Sequence, residues 1–432
     1  MSQEIEVKSA FDLKTIRKMK MHDETQAMDM LNKAYQTHSN RSQWLTSEKR
    51  VEILNRAAQI VRERREDLAI SAAREGGKPL NDSLVEIDRA VNGIEFAAKE
   101  VQSIKGQIIP MNLNPKSTNH QAYTRKEPRG VVFAISAFNH PFNLIVHQAV
   151  TAIAAGCPVL VKPASDTPIS CLNLVDILYE AGLEEQYCQV LLCENEVAEK
   201  IVGDSRISFL TFIGSEKVGW YLRSKLAKGA ACALEHGGVA PAIIDKSADI
   251  SKAIPMLVKG GFYHAGQVCV STQRIYLDEK IQSQFIEKFL AEVQKLKTGS
   301  PESGETDVGP LIRPKETQRI HTWVEEAIEE GATLLCGGEK LSETTYSPTV
   351  LLNPAKKSKV SQEEVFGPVV CLYTYQNFTD AIAQANDVDF AFQASIFSND
   401  MNQILKHGPE IECKTLLINQ HTAYRVDWMP FG

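Results

Sequence analysis

The sequence predicts an α/β protein of two or more domains, one of them built on a doubly wound parallel sheet. Three observations carry that expectation. The chain has 432 residues, beyond the ~250–300 at which a single core stops growing. At 43% hydrophobic and 23% charged, it has the composition of an ordinary globular protein rather than a disordered or fibrous one. From about residue 131, short apolar runs alternate with longer helical ones, as successive βα units of a parallel sheet do.

The elements follow in order. Residues 46–73 place Val51, Leu54, Ala58, Val61 and Leu68 at helical spacing, which predicts one amphipathic helix. Its Arg–Glu run from Arg62 to Asp67 reads as a solvated face. VVFAIS (from 131) is the first strand of the alternating region, followed by the helix FNLIVHQAVTAIAAG, the strand PVLVK and the helix PISCLNLVDILYEAG. CQVLLC (188–193), a helix around Glu196–Val202, SFLTFI (208–213), a helix from Glu216 to about Lys228 and ACALE (231–235) continue the series. Such a doubly wound layout binds nucleotides at the carboxyl ends of its strands.

Several function classes are disfavoured. A net charge of -7 argues against a general nucleic-acid binder. The nine cysteines are scattered and odd in number, a pattern of reduced thiols. No CxxC or HExxH spacing occurs, so no metal site is expected. MSQEIEVKSA lacks a signal pattern, and no run reaches the ~18 apolar residues of a membrane span. The expectation is a cytoplasmic protein without nucleic-acid or membrane partners.

Candidate chemistry sits at strand ends and in one glycine-framed cysteine motif. Asn139 follows the first strand of the alternating region, Lys162 ends the second, and Gly214-Ser215 follow the fourth. The segment Gly214–Gly219 opens a helix after a strand, where free N–H groups and the helix dipole suit a phosphate, although it is not GxGxxG. Gly266-Gln267-Val268-Cys269 lies downstream of Glu235-His236-Gly237-Gly238. A thiol is a few per cent thiolate at neutral pH and needs activation, and a carboxylate can later activate water, so the pair suggests acyl-enzyme chemistry. Taken singly, each residue has a plainer reading. Cys269 is then a small buried hydrophobe, Glu235 a solvated strand end, Asn139 a turn former, Lys162 a loop lysine, and Ser215 a helix N-cap.

Seven motifs in order, FNHPFN (138–143), VKPAS (161–165), FIGSEKVG (212–219), LEHGG (234–238), GQVC (266–269), TDVGPLI (306–312) and EEVFGPV (363–369), resemble those of the aldehyde dehydrogenase superfamily over nearly the whole chain. The resemblance implies a modified Rossmann cofactor domain (1–103 and 128–236), a small β-hairpin that bridges subunits (Ile104 to about Glu127), and an α/β catalytic domain (237–432). By motif, Cys269 is the expected nucleophile, Glu235 the base that activates the hydrolytic water, and Asn139, with the Cys269 N–H, the oxyanion hole. Lys162 and Ser165 match the positions on the adenosine ribose, Gly214 and Ser215 those at the pyrophosphate, and Glu364 with Phe366 those at the nicotinamide ribose. Glu364 alone reads as a solvated helix start, and Phe366 as core. The implied cofactor is NAD or NADP, the partner a small aldehyde, and the assembly a homodimer or homotetramer.

Departures from the family pattern shape further expectations. Ser165 stands where many relatives carry a glutamate that repels a 2′-phosphate, so NADP is expected alongside NAD. His264 and His236 replace common residues and are expected to be packing variants. Arg129 and Arg425, with His140 and His264, suggest an anionic or hydroxylated aldehyde, and the spelling of FYHAGQVCVSTQR and YRVDWMPFG resembles the lactaldehyde and phosphonoacetaldehyde dehydrogenase branch. The chain stops at Pro430-Phe431-Gly432, which suggests a missing C-terminal strand of about thirty residues and weakened assembly. The alternatives are a CoA-acylating semialdehyde dehydrogenase and a truncated, inactive pseudoenzyme.

Overall fold

The computed structural model describes residues 4–429; Pro430-Phe431-Gly432 lie outside them. The hairpin β1 (Glu4–Lys8) and β2 (Thr15–Lys20) packs Val7 and Met19 against Leu192, an element the hydrophobic pattern did not signal. A second hairpin pairs β3 (Ile108–Ile109) with β4 (Ala122–Tyr123), Ile108 opposite Tyr123. It falls inside the span expected for the hairpin, but with strands of only two residues.

The first large sheet contains β5 (Val131–Ile135), β6 (Val159–Lys162), β7 (Cys188–Val190), β8 (Ile207–Ile213) and β9 (Ala231–Glu235). All are parallel in the order β7-β6-β5-β8-β9. Alternation along β5 explains why both faces are covered. Val132 and Ala134 join Ile53, Ile87, Val91 and Leu174 in one core, while Val131 and Phe133 join Leu31, Ile201 and Leu210 in another. Strands buried on both faces are near-continuously apolar, and burying each Leu, Ile or Val there contributes roughly 1.5–3 kcal/mol.

The strand order reverses between β5 and β8, the switch point at which such sheets bind ligands. Beneath it Gln148 Nε2 donates to Ile135 O (3.0 Å) and Thr211 O (3.1 Å), tying the two strand ends together. Gln148 lies in a wide π turn, Val146–Val150, within the expected helix, and such turns often mark functional sites.

Two expectations need correction. The helix over 46–73 is two helices, Ser47–Glu63 and Arg65–Gly76, because the chain bends at Arg64 (φ -104, ψ 19). There Arg64 pairs with Glu180 (2.7 Å) and Arg65 with Asp88 (2.5 Å), so part of the solvated Arg–Glu face is tied to other helices. Gly77 is the left-handed C-cap (φ 76) of the second helix, the conformation that favours glycine. Lys78, fully buried, pairs with Glu86 (2.5 Å).

The second large sheet contains β10 (Pro241–Ile244), β11 (Arg274–Asp278), β12 (Thr333–Cys336), β13 (Thr349–Leu352), β14 (Val369–Tyr375), β15 (Gln393–Phe397) and β16 (Thr415–Ile418). Its order is β12-β13-β14-β11-β10-β15-β16, parallel throughout except for β12 against β13. Gly237 and Gly238 carry the chain from β9 to β10 and so from the first sheet to the second. Among the described residues no helix is long and apolar enough to cross a membrane.

Candidate active site

A cleft of about 730 Å³ opens where the carboxyl ends of β5, β6, β8 and β9 meet the loops that precede β11 and β14. All nine site residues expected from sequence line it: Asn139, Lys162, Ser165, Gly214, Ser215, Glu235, Cys269, Glu364 and Phe366.

Three of them converge at one end. Glu235 is the last residue of β9 and is buried. Cys269 lies partly exposed in the loop after the helix Ile250–Phe262, with its thiol and the Glu235 carboxylate close enough for each to shift the other's pKa. Glu235 Oε1 is buried without a protein partner. Asn139 is also buried, and its Nδ2 donates to Gln267 O (3.0 Å), which fixes the amide on the cysteine loop. Asn139 is therefore more than a turn former.

The glycines and glutamine of the motifs hold this geometry. Gly266 has φ 70, and a Cβ there would fall 2.0 Å from Gly367 O. Gln267 donates to Pro310 O (3.1 Å) and accepts from Ile312 N (2.9 Å), so it pins the cysteine loop to the GPLI segment. A Cβ on Gly237 would meet Glu364 Oε1 at 1.7 Å. The glycine in HGG is thus what lets the Glu364 carboxylate approach β9.

Charge in this corner is poorly solvated. Burial pushes Glu235 up to about 7, opposed by the neighbouring Cys269 thiol and by the charge of Arg425. Burial and then Glu235 push Glu364 up to about 8. The Cys269 thiol is held well above its usual range, first by burial and then by both carboxylates.

The other six residues form a wall suited to a dinucleotide. Ser215 is the exposed N-cap residue of the helix Glu216–Lys225, as its plainer reading expects, but its side chain makes no cap bond. A Cβ on Gly214 would meet the Phe212 ring at 2.7 Å. Lys162 is buried at the end of β6, and desolvation lowers its pKa. Ser165 is exposed in the following turn. Phe366 is not core: it is partly exposed, at φ 49, with its ring edge-on to Phe138 (5.7 Å). Glu364 Oε1 is buried and unpartnered. A free helix N-terminus, a buried cation and an unpaired acceptor fit the pyrophosphate, ribose and nicotinamide ends of NAD(P).

The remaining candidates separate. The His236 ring lies 4.7 Å from the Phe390 ring, edge to face. His264 is fully buried at φ 49 beside Lys78, with neither ring nitrogen bonded, and burial holds it well below its usual pKa. His140 lines the cleft and lies 3.4 Å from Tyr263 Oη. Arg129 is exposed, bonds Ser208 O (3.2 Å) and does not line the cleft. Arg425 is close enough to Cys269 and Glu235 for its charge to shift both.

Sequence reasoning missed Arg89, which pairs with Asp427 (3.0 Å) in a group that includes His147 (3.1 Å). It also missed Arg313, Arg319 and Trp323 on the cleft's opposite wall. Pro314 after the GPLI motif, at the first position of the helix Pro314–Glu329, was the available signal.

Known proteins match this architecture. The 3-sulfolactaldehyde dehydrogenase of Priestia aryabhattai is 40% identical over 384 residues, covering 89% of this chain and 80% of the relative. A lactaldehyde dehydrogenase of Methanocaldococcus jannaschii is 34% identical over 438 residues, 100% of this chain and 92% of the relative. The crystal structure of the glyceraldehyde-3-phosphate dehydrogenase of that organism, complexed with NADP, superposes with a TM-score of 0.94 at 33% identity, over 100% of this chain and 93% of the other. The model of the Aldehyde dehydrogenase family matches residues 1–432, and the chain therefore belongs to the aldehyde dehydrogenase family of NAD(P)-dependent oxidoreductases.

Proposed function

We propose that this protein oxidises a small, hydroxylated, anionic aldehyde to its carboxylate through a thioester on Cys269. The observation that carries this reading is the convergence of the Cys269 thiol, the buried Glu235 carboxylate with Oε1 unpartnered, and the Asn139 amide at one end of the cleft. With its pKa near 7, Glu235 is half ionised at neutrality and takes the thiol proton as sulfur attacks the aldehyde carbon. One N–H of Asn139 Nδ2 stays on Gln267 O while the other donates, together with the Cys269 N–H, to the oxygen on which charge develops. When bound, NAD(P)+ supplies the acceptor for the hydride that leaves the thiohemiacetal carbon, and Lys162, Ser165, Gly214, Ser215, Glu364 and Phe366 are the residues that hold it. Glu235 gives the thiol's proton up to solvent, then removes a proton from water as that water attacks the thioester carbon and the Cys269 sulfur leaves and is reprotonated. A carboxylate so placed favours hydrolysis over transfer to CoA.

Arg425 near the reacting centre supports an anionic substrate, as do relatives named for sulfonated and phosphorylated aldehydes. We further propose the domain division expected from sequence, 1–103 with 128–236, 104–127 and 237–432, in a cytoplasmic homo-oligomer. The test is reduced-cofactor formation without CoA across lactaldehyde, 3-sulfolactaldehyde, glyceraldehyde 3-phosphate, succinic semialdehyde and phosphonoacetaldehyde. Turnover that disappears in Cys269→Ala is expected. A CoA requirement, or turnover surviving in that variant, would overturn the reading.

A further inference from the structure

Arg313 and Asp166 face each other across the mouth of the cleft. Arg313 Nη2 lies 2.8 Å from Asp166 Oδ2, with the side chains 40% and 28% exposed. Asp166 follows Ser165, the residue at the expected adenosine ribose position, and Arg313 precedes the first residue of the helix Pro314–Glu329 on the opposite wall. Arg313 Nε is buried with no acceptor, so the guanidinium fork is only partly used. A half-exposed pair of this kind is weak and readily exchanged. The other charges facing it are Lys315, whose ammonium acts on Asp166, and Glu316, which is already engaged by Arg319 (2.9 Å). Lys162 lines the same cleft.

We infer that Arg313 is the specificity-determining cation for a cofactor 2′-phosphate, and that Asp166 holds it across the cleft until a dinucleotide carrying that phosphate takes its place. This rests on the reading of the cleft as the NAD(P) site. The fork geometry of a guanidinium matches phosphate oxygens, and a dianionic phosphate can occupy both Nη2 and the idle Nε where one carboxylate oxygen now occupies a single nitrogen. Ser165 adds a hydroxyl donor without a competing charge. Asp166 opposes the same phosphate, so the pair sets the balance between the two cofactors: Arg313 favours NADP and Asp166 restrains it.

Calorimetric titration of the purified protein with 2′,5′-ADP and, separately, 5′-ADP tests this without turnover. Arg313→Gln is expected to weaken 2′,5′-ADP about tenfold or more while 5′-ADP changes less than twofold. Asp166→Asn is expected to tighten 2′,5′-ADP severalfold, a change of opposite sign that a general loss of folding does not produce. Equal losses for both ligands in Arg313→Gln, or no tightening in Asp166→Asn, overturn the inference. Wild-type protein that binds 5′-ADP but not 2′,5′-ADP also overturns it while leaving the cleft assignment intact. Failure to bind either ligand removes the cleft assignment and the inference with it.

Discussion

At the scale of single residues, the chemistry depends on where two buried protons sit. Glu235 and Glu364 hold theirs up to about 7 and about 8, against an ordinary value of 4.5, because burial penalises the ionised forms. The folded state therefore binds these protons more tightly than the unfolded chain. The stability this gives is fully present below about 4.5 and is lost as pH rises through 7 and 8, at ~1.4 kcal/mol for each tenfold difference in proton affinity between the two states. Reactivity runs the other way, since only ionised Glu235 accepts a proton. The thermal midpoint should fall from pH 5 to 8.5 while kcat/KM climbs through about pH 7. In Glu235→Gln the limb near 7 should vanish and the loss of stability should shrink. A wild-type profile flat from pH 6 to 8 would show that Glu235 is not the group that titrates.

At the scale of elements, the site is a set of strand ends held by turns. Glu86, on the helix Leu80–Ser103, accepts from the backbone N–H groups of Phe142 (2.9 Å) and Asn143 (3.0 Å), so it fixes the loop that carries Asn139. Its charge is balanced by buried Lys78. Removing one partner of such a pair costs roughly 3–5 kcal/mol. Lys78→Met should lower unfolding stability by about that amount in urea titration, and it should reduce kcat through displacement of Asn139. A change below ~1 kcal/mol would show that the pair contributes little.

This is also the scale at which the sequence was most and least informative. Alternation between apolar strands and helices marked out β5, β6, β8 and β9 to within a residue, while β7 ends at Val190, three residues short of the CQVLLC run, and motifs delivered the nine cleft residues. The break at Arg64 escaped because an unbroken apolar stripe does not register one residue at φ -104. Lys78–Glu86 and Arg313–Asp166 escaped because their partners meet only through tertiary packing. The reason for Gly237 became visible only with Glu364 lying against it.

At the scale of the whole molecule, two sheets share one cleft, and β9 feeds directly into the second sheet through Gly237-Gly238. The hairpin expected to join subunits projects Ile108 (87% exposed), Leu113 (80%) and Tyr123 (79%). Apolar side chains so exposed on strands of two residues are poorly stabilised alone, and this is the surface at which the proposed homo-oligomer would make its contact. Ile108→Asp with Tyr123→Asp should shift the protein to a smaller species in light scattering after size exclusion, with the cleft residues untouched. An unchanged mass would place the subunit contact elsewhere.

The central claim is that Cys269 carries the substrate as a thioester that Glu235-activated water releases. Intact-protein and peptide mass spectrometry of Glu235→Gln, quenched in acid after mixing with aldehyde and NAD(P)+, tests it most directly. A persistent acyl adduct on Cys269 is predicted, formed more slowly than in the wild type because the thiol has lost its base, with one equivalent of reduced cofactor per site and little further turnover. Steady turnover at the wild-type rate with no adduct on Cys269 would contradict it.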